Sequence, residues 1–319
     1  MVIGTLEQGF IFALVAIGVY ITYRILDFPD LSVDGTFPLG AAVVALCLSR
    51  GMNPFISLII AFISGCLAGG ITAFLHVKLK ITSLLSGILV MIGLYSINLR
   101  IMGKSNVQFF SFDKIFDHGM FMNEISGLDI NKVVIAVICV ILIKVLIDLF
   151  LKTKLGFLLK FVGDNETVVT SLGVNKDSIK VMGLMISNGI VSFAGALQAQ
   201  YGGFADATMG TGIVVTALAA VIIGEVICRL FKKAKGSTIA IVGAVVYKTV
   251  EVAALRIKIL EASDFKLITA LIVIIVLGIN NTNFKFFKKK DSYPKELDTT
   301  KESKGGEFVA SSTKSAQDV

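Results

Sequence analysis

The chain has 319 residues, of which 55% are hydrophobic and only 17% are charged. A soluble domain has about 25% charged residues, so the composition excludes an ordinary soluble protein. The formal net charge of +7 does not indicate nucleic-acid binding, because the basic residues lie in short loops and a polar tail. The cysteines lie inside apolar stretches without metal-ligand spacing, so we expect no disulfide or metal site at Cys47, Cys66, Cys139 and Cys228.

Apolar segments, in chain order, predict about nine transmembrane helices, since a helix needs about 20 mostly apolar residues to cross a bilayer. They lie at about 4–23, 36–49, 54–75, 82–101, 130–151, 179–198, 212–228, 236–255 and 265–280. The tail is rich in Lys, Glu, Ser and Gly and has no apolar periodicity. The sequence therefore predicts an all-α polytopic membrane protein, with a transmembrane domain at 1–282 and a disordered cytoplasmic tail at 283–319.

Two short segments follow sequence that disfavours a continuous helix, which predicts interrupted helices. Pro29, Gly35 and Pro38 precede the second apolar segment, and Asp34 with Thr36 marks the predicted helix break. The polar and glycine-rich segment 206–212 precedes the seventh, which runs in the opposite direction in the predicted topology. Paired short segments of this kind are a signature of inverted repeats whose interface forms a transport path. An inverted repeat is thus a hypothesis, with an ordinary re-entrant turn at each position as the alternative.

Lys and Arg are concentrated in alternate loops, which predicts the orientation. The richer set of loops contains Arg24, Lys78, Lys80, and the basic residues of 152–180, 229–235 and 285–290. Translocated loops are poor in Lys and Arg, so we expect a cytoplasmic C-terminus. With an odd number of spans, the N-terminus is then expected outside.

The longest predicted cytoplasmic loop between helices, at 152–178, has signals for a short helix. Asp164 or Asn165 is suited to cap it, Glu166 complements its positive N-terminal end, and Gly173 is suited to stop it. Asn175 is suited to cap the next span. Such a helix offers a surface to a cytosolic partner, and the alternative is an amphipathic connector at the membrane interface.

Charged residues inside predicted spans need a structural or functional explanation, because they are costly in lipid. Lys144 and Asp148 are four residues apart, and Lys248 and Glu251 are three apart. Each pair can lie on one helix face and neutralise itself. We favour structural pairing over a proton relay, because no chain of Asp, Glu and His continues across the bilayer.

Small and polar residues suggest helix packing and a transport path. Gly65, Gly69 and Ala73 recur every four residues, a spacing that lets another helix approach closely, either within one subunit or between subunits. The amides of Asn98, Gln198 and Gln200 can hydrogen-bond a passing polar solute, and we interpret them, with Asp34 and Thr36, as candidates for the path. The alternative for each is that it caps or cross-links neighbouring helices.

Several strings resemble permease subunits of ABC importers of the branched-chain amino acid and ribose type: Thr153–Gly156, Val162–Asn165, Gly173–Asn175, Ile186–Ser187 and Ala194–Leu197. DFPDLSVDGTFPLG at 27–40 and YSINLRIMG at 95–103 more specifically resemble the tryptophan/tyrosine transport permeases. The resemblance extends over about residues 1–280.

The resemblance implies that the short helix at about 164–172 is the coupling helix that contacts an ATPase subunit. The residues expected to make that contact are Gly163, Asp164, Asn165, Glu166, Thr167, Leu172 and Gly173. ATP and Mg²⁺ are then bound by the separate ATPase, and an extracellular substrate-binding lipoprotein delivers the substrate. Two copies of the permease are expected to form the pathway in a bacterial plasma membrane. We expect this chain to have no catalytic residues, bound cofactor or metal.

The sequence therefore predicts the transmembrane permease subunit of an ATP-driven importer, for an aromatic amino acid such as tryptophan or tyrosine. One alternative is a secondary transporter driven by an ion gradient, with the Lys/Asp and Lys/Glu pairs as coupling sites. The other is an ABC permease for a nucleoside, a sugar or a branched-chain amino acid.

Overall fold

The computed structural model describes residues 2–117, 130–229 and 236–254, together with positions 270, 271, 274 and 278. Within these residues there are ten α-helices, one π-helical turn (Ile21–Ile25) and a pair of antiparallel strands, β1 (Asn106–Gln108) and β2 (Phe204–Asp206). The helices are α1 (Val2–Tyr20), α2 (Val33–Ser49), α3 (Pro54–Val77), α4 (Ser83–Met102), α5 (Ile130–Phe150), α6 (Lys154–Asp164), α7 (Glu166–Ser171), α8 (Lys176–Gly202), α9 (Ile213–Arg229) and α10 (Gly236–Ala254).

The helices confirm the all-α membrane fold. Six of the described helices are long and apolar enough to cross a bilayer, namely α1 with its π-turn, α3, α4, α5, α8 and α10. The second and seventh predicted spans correspond to the shorter apolar helices α2 and α9. Most of the ninth predicted span, at 265–280, and the whole predicted tail lie outside the described residues. Large apolar side chains of α3, α4 and α5 are exposed, as expected of surfaces that face lipid.

The position predicted for the helix break is wrong. Asp34 and Thr36 lie inside α2, which continues through Pro38, and the non-helical segment comes earlier, at 27–32. A proline removes only one backbone hydrogen bond from a helix. The start of α2 is held by the Ser32 carbonyl, which accepts hydrogen bonds from the N–H groups of Gly35 and Thr36, both at 2.9 Å.

α2 and α9 run in opposite directions from N-termini that meet. Asp34 of α2 accepts hydrogen bonds from the N–H groups of Gly212 (2.7 Å) and Val214 (2.9 Å) at the start of α9. α2 runs toward the start of α3. There, the Pro54 carbonyl accepts a hydrogen bond from the side chain of Gln200, which lies near the end of α8. The two short helices therefore have the antiparallel relation expected of paired interrupted segments.

Two groups of helices form the core. In the α2–α3–α8 group, backbones touch directly, since a Cβ on Gly40 would overlap Ser192 of α8 and a Cβ on Gly195 would overlap the Phe37 carbonyl of α2. In the α1–α9–α10 group, Gly224 of α9 and Gly243 of α10 allow a similar approach. The groups are joined where Gly18 of α1 packs against α8 and its carbonyl accepts a hydrogen bond from the Ser187 hydroxyl at 2.7 Å.

The molecule has two distinct ends. α8 begins beside α6 and α7 and ends beside β2, and its 27 residues span about 40 Å at 1.5 Å per residue. This exceeds the hydrocarbon thickness of about 30 Å. α1 runs the other way, and the π-helical turn that forms its end stops at Ile25, against Gly163 of α6. We refer to these as the α6–α7 end and the β1–β2 end.

Candidate functional site

A cavity of about 620 Å³ lies toward the β1–β2 end, between α1, α2, α8, α9 and α10. We call it the β2 cavity. Its apolar lining includes Phe12, Phe37, Phe204, Met209 and Tyr247, and its polar lining includes Gln8, Gln198, Thr208, Thr211, Thr216, Lys248 and Glu251. The volume lies within the range of about 300–1,000 Å³ that is typical of small-molecule sites, and a mainly apolar wall with a few polar groups is their usual composition.

The charged groups of the β2 cavity come from one helix. Lys248 Nζ lies 2.8 Å from Glu251 Oε2, as the spacing of three residues predicts, and Glu251 is only 3% exposed. The same ammonium lies 5.1 Å from the centre of the Phe12 ring, a cation–π distance. The Phe12 and Tyr247 rings are 5.8 Å apart. The Tyr247 hydroxyl is buried and has no hydrogen-bond partner among the described residues.

The turn between β2 and α9 forms another wall of the cavity and is fixed by two carboxylates. Asp206 accepts hydrogen bonds from the N–H and hydroxyl of Thr208 and from the side chain of Asn106. Burial alone would raise the pKa of Asp206, but these hydrogen bonds outweigh burial and lower it. Asp34 holds the other side of the turn through its bonds to Gly212 and Val214, which makes it a cap for α9.

Of the five residues predicted for the transport path, Gln198 lines the β2 cavity. The other four do not line it, and they hydrogen-bond within the chain. Asp34 caps α9, Thr36 bonds to Asn188 at 2.8 Å, Asn98 donates to the Gly35 carbonyl at 3.1 Å, and Gln200 links Pro54, Ser57 and Ile115. Thr36 and Asn98 are fully buried and Gln200 is 1% exposed, so the geometry favours a cross-linking role for these three.

A buried polar cluster that the sequence did not predict joins the 27–32 segment to α8. Asp30 accepts hydrogen bonds from the Ser32 N–H at 2.9 Å, the Ser32 hydroxyl at 2.6 Å and the Asn188 amide at 2.7 Å. The Asp30-Leu31-Ser32 string predicts a local turn of this kind. No local signal identifies Asn188 as the partner, because it is 158 residues away.

At the α6–α7 end, the predicted capped helix is confirmed as α7. The Asn165 side chain accepts a hydrogen bond from the Thr167 N–H at 2.9 Å, and Asn175 caps α8 in the same way at Asp177. Gly173, after α7, has a φ of +71°, which favours glycine. The preceding part of the loop forms a second helix, α6, for which no helix was predicted.

Glu166 links α7 to α8 through ion pairs. Its carboxylate bonds to Lys176 Nζ at 2.6 Å and also to Lys180 Nζ. Hydrogen bonds from these two lysines lower the pKa of Glu166 to about 2. The position of α7 therefore depends on an ionised Glu166.

The residues predicted to contact an ATPase lie together at this end. Asp164, Asn165, Thr167, Leu172 and Gly173 are exposed, and Glu166 is half-buried. Gly163 packs against α1, where an added Cβ would overlap the Ile25 carbonyl oxygen and lie 2.9 Å from its carbon. Neighbouring apolar side chains are also exposed, namely Leu155, Phe157, Val168 and Leu172. The surface at this end is thus part polar and part apolar, and it contacts the end of α1 through the backbone of Gly163.

The small residues predicted for helix packing lie on the buried side of α3. A Cβ on Gly65 would lie 3.0 Å from the Asn188 carbonyl carbon, and one on Gly69 would lie 2.8 Å from that of Leu184. Ala73 is fully buried. The contacts of the two glycines are therefore with α8 of the same chain.

Comparison with known proteins agrees with this architecture. Residues 1–279 match the family model described as branched-chain amino acid transport system / permease component. The chain is 44% identical to the tyrosine transport system permease protein of Clostridioides difficile, over 94% of this chain and 98% of that protein. It is 26% identical to the probable branched-chain amino acid transport permease protein LivH of Methanocaldococcus jannaschii, over 69% and 72% of the two chains.

The ribose import permease protein RbsC of Haemophilus influenzae is 23% identical, over 70% of this chain and 68% of that protein. No solved structure matches the chain. The family model extends over all of the described residues, and six of the described helices have the length and apolarity of membrane spans. The chain therefore belongs to the family of permease components of branched-chain amino acid transport systems, and it is a multi-pass membrane permease of the ABC type.

Proposed function

We propose that the chain is the transmembrane subunit of an ATP-driven importer whose substrate is an aromatic amino acid. The observation that carries the substrate class is the β2 cavity, whose wall combines aromatic rings with a half-buried ammonium that is paired with a buried carboxylate. The similarity to a tyrosine transport system permease supports the same class. As a permease component, the chain provides a route across the membrane and catalyses no bond chemistry.

ATP binding and hydrolysis, with Mg²⁺, belong to a separate ATPase subunit that docks on the α6–α7 surface. Two features support this docking site. The ion pairs of Glu166 hold α7 at the start of α8, and Gly163 lets the α6 backbone pack against the end of α1. A displacement of α6 and α7 is therefore transmitted to α1 and α8. Both helices line the β2 cavity, α1 with Gln8 and α8 with Gln198.

The orientation follows from this assignment. The α6–α7 end and the C-terminus face the cytoplasm of a bacterial cell, and the β1–β2 end and the N-terminus face outward. The concentration of lysines in 152–180 supports this orientation. The β2 cavity then lies on the side where an extracellular binding lipoprotein delivers substrate. A second copy of the chain completes the pathway.

The test is uptake into proteoliposomes that contain the permease, its ATPase and its binding protein. We expect ATP-dependent accumulation of radiolabelled tyrosine, tryptophan or phenylalanine, with little accumulation of leucine, ribose or nucleosides. Uptake driven by a Na⁺ or proton gradient without the ATPase would refute the ABC mechanism. Uptake of a sugar, a nucleoside or only branched-chain amino acids would refute the substrate class.

A further inference from the structure

The wall of the β2 cavity has polar features that helix packing does not require. Lys248 and Glu251 form an ion pair across one turn of α10, beside the cavity. Next to them, the Tyr247 hydroxyl is buried without a hydrogen-bond partner in the described part of the chain. A buried polar group without a partner is costly, and ionisable residues within membrane spans usually mark a substrate or ion path.

We propose that the β2 cavity is a binding site for the zwitterionic head group of the transported amino acid, a proposal that rests on the proposed function. Lys248 binds the α-carboxylate, and Glu251 binds the α-ammonium. The aromatic side chain of the substrate lies against Phe12 and Tyr247, whose rings already form a pair with centres 5.8 Å apart.

Charge balance explains why this site selects a zwitterion. Lys248 and Glu251 neutralise each other at an Nζ to Oε2 distance of 2.8 Å. A zwitterion that enters between them gives each charge a new partner and leaves the net charge unchanged. A ligand with only one charge leaves either Lys248 or Glu251 without compensation in a region of low dielectric, which is strongly unfavourable.

The second intramembrane pair in the chain offers a matched control. Lys144 Nζ and Asp148 Oδ2 are also 2.8 Å apart on one helix, α5, and the Ser237 hydroxyl donates to Asp148. Neither residue lines the β2 cavity. Substitution there removes the same kind of ion pair from the membrane region without altering the proposed site.

The experiment measures binding of three related ligands to the full-length permease in lipid nanodiscs, by saturation-transfer NMR titration. L-tyrosine carries both charges, tyramine only the ammonium, and 3-(4-hydroxyphenyl)propionate only the carboxylate. We expect the unsubstituted permease to bind L-tyrosine about tenfold more tightly than either analogue. The variants are Lys248→Met, Glu251→Gln, Tyr247→Phe and the control Lys144→Met.

Each charge variant is expected to lose the preference for tyrosine over one of the two analogues. In Lys248→Met, tyramine binds as tightly as tyrosine, because the carboxylate has lost its partner. In Glu251→Gln, the propionate binds as tightly as tyrosine, because the ammonium has lost its partner. Tyr247→Phe, which removes a single oxygen atom, weakens tyrosine binding about threefold to tenfold. Lys144→Met keeps the ligand preferences of the unsubstituted permease.

Equal binding of the three ligands to the unsubstituted permease would overturn the proposal. So would an effect of Lys144→Met that matches that of Lys248→Met, or unchanged preferences in both charge variants. If the assembled importer transports tyrosine while these results are negative, only the cavity assignment fails. If the assembled importer transports no aromatic amino acid, the proposed function fails.

Discussion

Replacing Gly69 with alanine tests how closely α3 and α8 pack. A Cβ at this position would lie 2.8 Å from the Leu184 carbonyl carbon and 2.9 Å from Asn188 Cβ, and closer still to the Leu184 oxygen. Ordinary van der Waals contacts begin at 3.4 Å, so α8 must shift away to accept even one methyl group. Overpacking of this kind costs about 1–3 kcal/mol, more than the gain of about 1 kcal/mol from replacing a helical glycine with alanine.

Gly70, the next residue on α3, offers a matched control. Its Cβ would lie 3.6 Å from Met185 Cγ, an ordinary contact, so Gly70→Ala should gain helix propensity without a clash. We expect thermal unfolding in detergent to show a Tm for Gly69→Ala several degrees below that of Gly70→Ala, at about 2–4 °C per kcal/mol. A Tm for Gly69→Ala equal to or above that of Gly70→Ala would refute the packing argument.

Three further predictions concern other regions. Ionisation of Glu166 stabilises α7 above its ordinary pKa of 4.5, and this stabilisation is lost as the pH falls through about 2. Glu166→Gln should therefore speed amide hydrogen exchange in α7 at pH 7. The difference in exchange rate between this variant and the unsubstituted chain should shrink below pH 4.5. An unchanged exchange rate at pH 7 would show that the ion pairs of Glu166 do not hold α7 in place. After removal of the native cysteines, a cysteine at Ser111 should react with an impermeant maleimide in intact cells and one at Ser171 should not, and the reverse pattern would invert the orientation. Gln198→Ala should lower substrate uptake without lowering the Tm. Asn98→Ala should lower the Tm, because it removes a buried hydrogen bond. If Gln198→Ala transports substrate at the parental rate, Gln198 is not part of the transport path.

The first eight membrane segments were predictable, because a long apolar run is a local property of the sequence. The caps of α7 and α8 were predictable for the same reason, since Asn165 and Asn175 bond to N–H groups two residues away. The cap and stop residues of the 152–178 loop predict a single short helix at about 164–172, and α6 lies before it. The π-turn before the 27–32 segment has no signal in the sequence that we recognised.

The polar contacts that define the candidate site were harder to predict, because each depends on tertiary structure. Asp34 was selected for its position before a short apolar segment, but its partners at the start of α9 are 178 and 180 residues away. Asn98 and Gln200 have side chains that would suit a transport path, and only the structure shows that they are buried and donate hydrogen bonds to other elements. The Lys248–Glu251 pair was recognised from spacing, whereas its position beside aromatic rings was not.

The position of the β2 cavity between two helix groups has a mechanical consequence. One wall carries Phe37 and Gln198 of the α2–α3–α8 group, and the facing wall carries Phe12 and Tyr247 of the α1–α9–α10 group. Hydrogen bonds join the two groups at Gly18, at Asp34 and where the Tyr201 hydroxyl of α8 donates to Glu7 of α1. A rotation of one group against the other would therefore change the width of the cavity, whereas a cavity inside one group would keep its shape. The width of the β2 cavity is therefore a measure of how the two halves of the membrane domain are tilted against each other.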